Sequence, residues 1–276
     1  MTIKVIANDV GENKEVEVGL ASESNHWYDR SGAACYQMKG KNGNLRDVTL
    51  RDARKLGLLP SVTGIIDVEA KPQLTRWLVD QAYMACLTLP RIEGETLDSF
   101  KQRAYFDAGA QADMARARGQ VLHAEIETYI SKGTVANQDS LKFVVPVVDW
   151  LDRNFGRVPW AVEKSFAHQA GFGGKVDLHC KVGEELIVLD FKTKDFGEES
   201  IAKKMAWDGH AMQIHAYAHG LGIPNARKFN LFISTRVPGL MVGHEWTADS
   251  EYQWECFTHL LRVWQLRKKY DTRFTL

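Results

Sequence analysis

Asp177, Asp190 and Lys192 stand close together in a chain of 276 residues, within the stretch GGKVDLHCKVGEELIVLDFKTK at 173–194. Two carboxylates and an ammonium gathered on one sheet face suit a hard divalent cation that prefers oxygen ligands. Such a cation activates water against a phosphodiester. The lysine then orients or deprotonates that water, or steadies charge building on the phosphate.

The register of this hairpin follows from its turn. Glycine first in a two-residue turn at Gly183-Glu184 satisfies type II′ geometry and pairs Val182 with Glu185. Counting back sets Asp177 opposite Asp190. Alternation places Lys175, Asp177 and His179 on the face that carries Val188, Asp190 and Lys192. Val176, Leu178, Cys180, Ile187, Leu189 and Phe191 take the opposite, core face. Like charges directly across a hairpin repel. A bound cation accounts for the pair, and a solvent-facing hairpin with scattered charges is the alternative.

Flanking residues extend the pattern. His123 and Glu127 lie four apart in GQVLHAEIETYI, on one helical face. Glu163 sits on the strand before the hairpin, within reach of a second metal position. Gln213 and Tyr217 are also four apart on a helix, after the aromatic Trp207.

These groups depend on the elements that carry them. Residues 1–60 read as an N-terminal extension, with weak strands near 4–7 and 15–20 and a hairpin turn at Asn42-Gly43. A short helix then ends near Gly57, ahead of Pro60. A helical region follows, with Leu74, Trp77, Leu78, Ala82 and Met84 as its apolar contributors. A long helix over about 98–131 carries an interruption near Gly119. The next helix, LKFVVPVVDWLDRNF, is capped by Asp139 or Ser140 and kinked at Pro146. Three strands, a helix, two strands and an amphipathic helix complete the order. It predicts an α/β fold with a central mixed sheet flanked by helices, in a domain spanning 61–276.

Hydrophobic residues make up 45% and charged residues 25% of the chain, as in an ordinary globular protein. Formal net charge is zero, so no global basic field announces nucleic acid. Cys35, Cys86, Cys180 and Cys256 are widely spaced and form no CxxC pair, which argues against zinc ribbons and disulfide scaffolds. Without a signal-peptide pattern or a long apolar run, a cytoplasmic location is expected and no membrane partner.

The ordered set Gly119 and His123, Glu163, Gly174 and Asp177, Asp190-Phe191-Lys192, then Gln213 and Tyr217 resembles the RecB-like branch of the PD-(D/E)XK nucleases. Pro60-Ser61-Val62-Thr63 ahead of K-P-x-L-x-x-W further resembles phage-encoded exonucleases and the mitochondrial genome-maintenance exonuclease. The likeness covers about 61–236. It implies a restriction-endonuclease-like core and Mg²⁺- or Mn²⁺-dependent exonuclease action on single- or double-stranded DNA, in phage recombination, repair or replication. It implies one or two ions held by Asp177, Asp190, the Phe191 carbonyl and His123, with Glu163 at a second metal and Lys192 on the attacking water. Gln213 and Tyr217 would steady Lys192 or the phosphate, and Ser61, Thr63, Arg118 and Arg236 would contact substrate. Arg76, Arg103 and Arg116 lie in the same helical region, with solvated surface charge as the alternative for each of these arginines, and the basic run at 266–270 suits backbone phosphate or the helix macrodipole equally. A single-strand annealing or replication protein is the expected partner, and the host cytoplasm the expected place if the chain is phage-encoded. The resemblance departs in one respect: only Cys256 follows Tyr217, so no iron–sulfur cluster is expected. The rival functions are a structure-specific or restriction-like endonuclease, and a catalytically silent DNA-binding recombination accessory protein.

Overall fold

The computed structural model describes residues 3–7, 14–18, 26–201, 203 and 205–274. At the N-terminus, β1 (Ile3–Ala7) and β2 (Lys14–Val18) pair antiparallel; residues 19–20, at the end of the second expected strand, lie outside the described residues. Next come β3 (Trp27–Tyr28), β4 (Gln37–Lys39) and β5 (Leu45–Asp47). Lys39 pairs with Leu45, so the connection holding Asn42-Gly43 is a five-residue loop.

Helix α1 (Leu50–Leu56) opens on a reciprocal cap between Thr49 and Asp52 and closes on Gly57 at φ 69°, as its residues predict. After β6 (Leu59–Pro60) and the short α2 (Val62–Ile66) come α3 (Pro72–Thr88) and the 36-residue α4 (Leu97–Lys132). Helix α4 runs through Gly119 without interruption. The glycine serves close approach instead, because a Cβ there would collide with Thr193 Oγ1. Helix α5 (Leu141–Phe155) contains Pro146; Ser140 precedes it without a side-chain cap, while Asn137 Oδ1 accepts from the Asp139 N–H at 3.0 Å one turn earlier.

The central sheet comprises β7 (Ala161–His168), β8 (Phe172–Val182), β9 (Glu185–Lys194), β10 (Arg227–Ser234) and β11 (Met241–Trp246). Their spatial order is β11-β10-β9-β8-β7, antiparallel except for the parallel β9–β10 pair. Helices α6 (Asp208–Gly220) and α7 (Tyr252–Lys268) complete the chain. The result is a five-stranded mixed sheet flanked by helices. Among the described residues, no helix is long and apolar enough to cross a membrane.

Two apolar layers sandwich the sheet. One joins Val62, Ile65, Ile214 and Phe257 to Phe172, Val176 and Val188, and includes Trp27, Val48, Ala53 and Leu58. Residues 26–60 therefore share one core with the central sheet, α2, α6 and α7. The other layer packs Leu122, Ile126, Val144 and Leu151 on Leu178, Ile187, Leu189, Phe191 and Leu231. Strand β9 reads as a continuous apolar run because both of its faces are covered. Helix α6 is buried on every side from Ala211 to Ala218, and small residues let it lie close to the sheet.

The α3–α4 hairpin corrects one expectation. Leu74, Trp77, Leu78 and Met84 are 39–54% exposed rather than core-facing. The contact between the two helices is made instead by Ala82 and Ala85 against Ala104 and Ala108.

Candidate active site

The hairpin turn behaves as its glycine demands. Gly183 sits at φ 58°, Glu184 has no positive φ, and the ladder runs from Val182↔Glu185 to Leu178↔Leu189. The next pair in this register is Asp177 and Asp190, where regular pairing ends. On the other side of β8 the ladder passes from Val162↔Leu178 to Lys164↔Val176 and omits the intervening Glu163 and Asp177. Glu163 there adopts φ 57°, a left-handed conformation that costs a side-chain-bearing residue about 1–3 kcal/mol.

Strand β8 turns over at this point. Leu178 and Cys180 join one apolar layer, whereas Val176 joins the other with Phe172 and Tyr217. The expected single core face therefore breaks at Asp177. Gly174 makes room for this, because a Cβ at that position would meet Phe166 Cζ at 2.7 Å and Tyr217 at 3.0 Å.

At the break, the Asp177 carboxylate accepts from the Phe191 N–H at 2.7 Å and lies 3.9 Å from His123 Nδ1. The His123 ring meets the Phe191 ring edge-to-face at 6.0 Å. One helical turn along α4, Glu127 completes a cluster: His123, Glu127 and Asp177 each offer a ligand atom, all within 4.8 Å of one another. Burial raises the Glu127 pKa, countered by Lys175 and His123. Two carboxylates and one imidazole, all half-buried, could together hold a divalent cation.

Asp190 and Glu163 lie outside that cluster. The Glu163 carboxylate is engaged by the Lys175 ammonium. Asp190 is 3% exposed, and its Oδ2 lies 2.8 Å from both Lys192 Nζ and Asn230 Nδ2. Burial pushes its pKa up to about 6; Lys192 acts against the shift and neighbouring Asp177 with it. Lys192 also donates to Gln213 Oε1 at 2.8 Å, and Gln213 Nε2 donates to the Tyr217 hydroxyl at 2.8 Å. Tyr217 is held neutral, its pKa raised well above the usual phenol range by burial and by Asp190. The chain Asp190–Lys192–Gln213–Tyr217 thus joins β9 to α6, bringing together four of the residues singled out in the sequence.

The expected substrate contacts are dispersed. Ser61 is 4% exposed, and its hydroxyl caps α2 by accepting from the Gly64 N–H at 3.0 Å, with Thr63 Oγ1 at 3.2 Å. Arg236 is tied to Glu199 and to Asp195, the latter at 3.4 Å. Arg103 is held by Glu95 at 2.7 Å and Arg116 by Asp113 at 3.1 Å. Arg118 is exposed on α4 one residue before Gly119, and Arg76 is exposed on α3.

Two residues outside the expected site stand at it. In the sequence, Glu127 stands out only as the helical partner of His123. Asn230 lay unmarked in the apolar strand KFNLFIS; its signal is a lone buried amide opposite Asp190 in the parallel ladder.

No family model and no curated protein matches the chain. A solved structure described as "Crystal structure of SSO0001" is similar at 14% identity and a TM-score of 0.32, covering 72% of this chain and 93% of that one. A likeness of that size carries no argument.

Proposed function

We propose that the protein is a metal-dependent DNA exonuclease with a restriction-endonuclease-like core, of the RecB-like PD-(D/E)XK kind, acting in phage DNA recombination, repair or replication. The observation that carries this reading is the convergence at one break in the sheet. There, the His123–Glu127–Asp177 cluster stands beside the Asp190–Lys192–Gln213 chain. A surface decoration of scattered charges would not bury Asp190 or thread its partner lysine onto a buried glutamine.

His123, Glu127, Asp177 and Asp190 would hold Mg²⁺ or Mn²⁺. The cation would supply activation of water and neutralisation of phosphate charge. The chain's own groups do the rest. Lys192, fixed between Asp190 and Gln213, orients the attacking water and steadies the negative charge that develops on the phosphate. The ammonium of Lys192, which can only donate, turns the Gln213 oxygen toward itself and leaves the Gln213 NH₂ to donate to the Tyr217 hydroxyl. Exposed Arg118, on the helix that carries His123, would meet backbone phosphate.

Asp190 makes cation binding depend on pH. Its carboxyl, raised to about 6, must lose a proton to bind, so affinity should fall about tenfold per unit below pH 6. The sign for stability without the cation is the opposite. A folded-state pKa raised above the carboxyl's ordinary 3.8 gives stability that is present at low pH and lost as pH rises through about 6. A bound cation recovers it. The Mg²⁺-dependent rise in Tm should therefore be small at pH 5 and largest above pH 7; an equal rise at both would remove Asp190 from the ligands.

Comparing linear with closed-circular DNA tests the exonuclease assignment. Linear DNA should be digested and the closed circle left intact, whereas nicking of the circle would indicate an endonuclease.

A further inference from the structure

The buried amide beside Asp190 has a fixed orientation. Trp246 Nε1–H can only donate, and it lies 2.8 Å from Asn230 Oδ1. That contact turns Asn230 Nδ2 toward Asp190, where it meets Oδ2 at 2.8 Å and the Asp190 carbonyl oxygen at 3.2 Å. Asn230 is completely buried and pairs directly with Asp190 across the parallel β9–β10 ladder. The amide cannot reverse without setting donor against donor at Trp246 and acceptor against carboxylate at Asp190.

We infer that Asn230, locked by Trp246, is the positioning residue that holds Asp190 Oδ2 and thereby commits Oδ1 to the catalytic cation. Lys192 Nζ lies 2.8 Å from the same Oδ2. Two donors of different kinds thus converge on one oxygen of the carboxylate and leave the other for the cation that the nuclease reading calls for. Without the amide, the carboxylate can rotate about its own bond and close on Lys192 through either oxygen, competing with the cation. A merely structural Asn230 would satisfy a buried carboxylate and contribute to Tm, with no effect on metal affinity. This inference rests on the nuclease reading above.

The test is Mn²⁺ binding by calorimetry without DNA at pH 7.5, on the full chain, with Tm measured for each variant. Removing an outer partner of a metal ligand typically weakens affinity by about 10–100-fold, and Asn230→Ala should show at least the lower figure. Trp246→Phe keeps a ring but loses the N–H, and should weaken binding in the same direction, by up to about 10-fold, the lower end for an outer-shell change. The Mn²⁺ concentration for half-maximal cleavage should rise in parallel, while the rate at saturating Mn²⁺ stays within a few-fold of wild type. Trp246→Phe also keeps the test decisive if Asn230→Ala does not fold. Wild-type affinity in the folded variants, with lowered Tm alone, would overturn the positioning role. A wild-type protein that binds no Mn²⁺ would overturn the nuclease reading itself, and the inference with it.

Discussion

Replacing Lys192 by alanine should lower DNA cleavage about 10³-fold while leaving the fold intact, the size of effect seen when one preorganised donor to a developing charge is removed. The ammonium is held at 2.8 Å by both the Asp190 carboxylate and the Gln213 amide oxygen, so its position is set before substrate arrives. Without it, the buried Asp190 loses the partner that opposes its raised pKa, and it relieves itself by protonation. Cleavage by the variant should therefore recover in part as pH rises, because the cation must then displace a more firmly held proton. Lys192→Arg should not rescue the rate, since a planar guanidinium cannot occupy a site built for a compact point charge. Steady-state cleavage of a labelled oligonucleotide from pH 6 to 9, beside circular dichroism, reads both quantities. Full activity in either variant removes Lys192 from the chemistry.

The second large effect is at Asp177, which does two jobs with one side chain. It belongs to the cluster with His123 and Glu127, and it accepts from the Phe191 N–H at 2.7 Å. Phe191 is 1% exposed, so Asp177→Ala leaves that amide without its acceptor in a dry place, a loss of about 1–3 kcal/mol. Metal affinity should fall by at least about 10²-fold, beyond what outer-shell changes cost, and cleavage with it. Asp177→Asn separates the two jobs. Its amide oxygen still accepts from Phe191, so Tm should return close to wild type while metal binding and cleavage stay lost. If Asp177→Asn binds Mn²⁺ as wild type does, the cluster is structural only.

Much of this site could be read from residues alone, because turn chemistry and strand alternation are local. Gly183 dictated the turn, the turn dictated the register, and the register brought Asp177 to Asp190. The four-residue spacings of His123 with Glu127 and Gln213 with Tyr217 follow from helical geometry in the same way.

What escaped the sequence is tertiary. Strand β8 turns over at Asp177 where Glu163 opposite takes φ 57°, and no residue type signals that conformation at a glutamate. Glu127 rather than Asp190 closes the cluster, on a helix that Gly119 lets approach Thr193 closely. Asn230 gains its role only once β10 lies parallel to β9. Periodicity located the apolar side of α3, but it carries no information on whether anything covers that side. Leu74, Trp77 and Met84 are exposed there.

Metal-dependent hydrolysis at the Asp177–Asp190–Lys192 break, as proposed above, is tested by digestion of end-labelled single- and double-stranded DNA with Mg²⁺, with chelator, and with purified Asp190→Ala. The wild-type protein should degrade at least one substrate with Mg²⁺ and none with chelator, and folded Asp190→Ala should degrade neither. Full Mg²⁺-dependent cleavage by Asp190→Ala would remove Asp190 from the metal site and from catalysis.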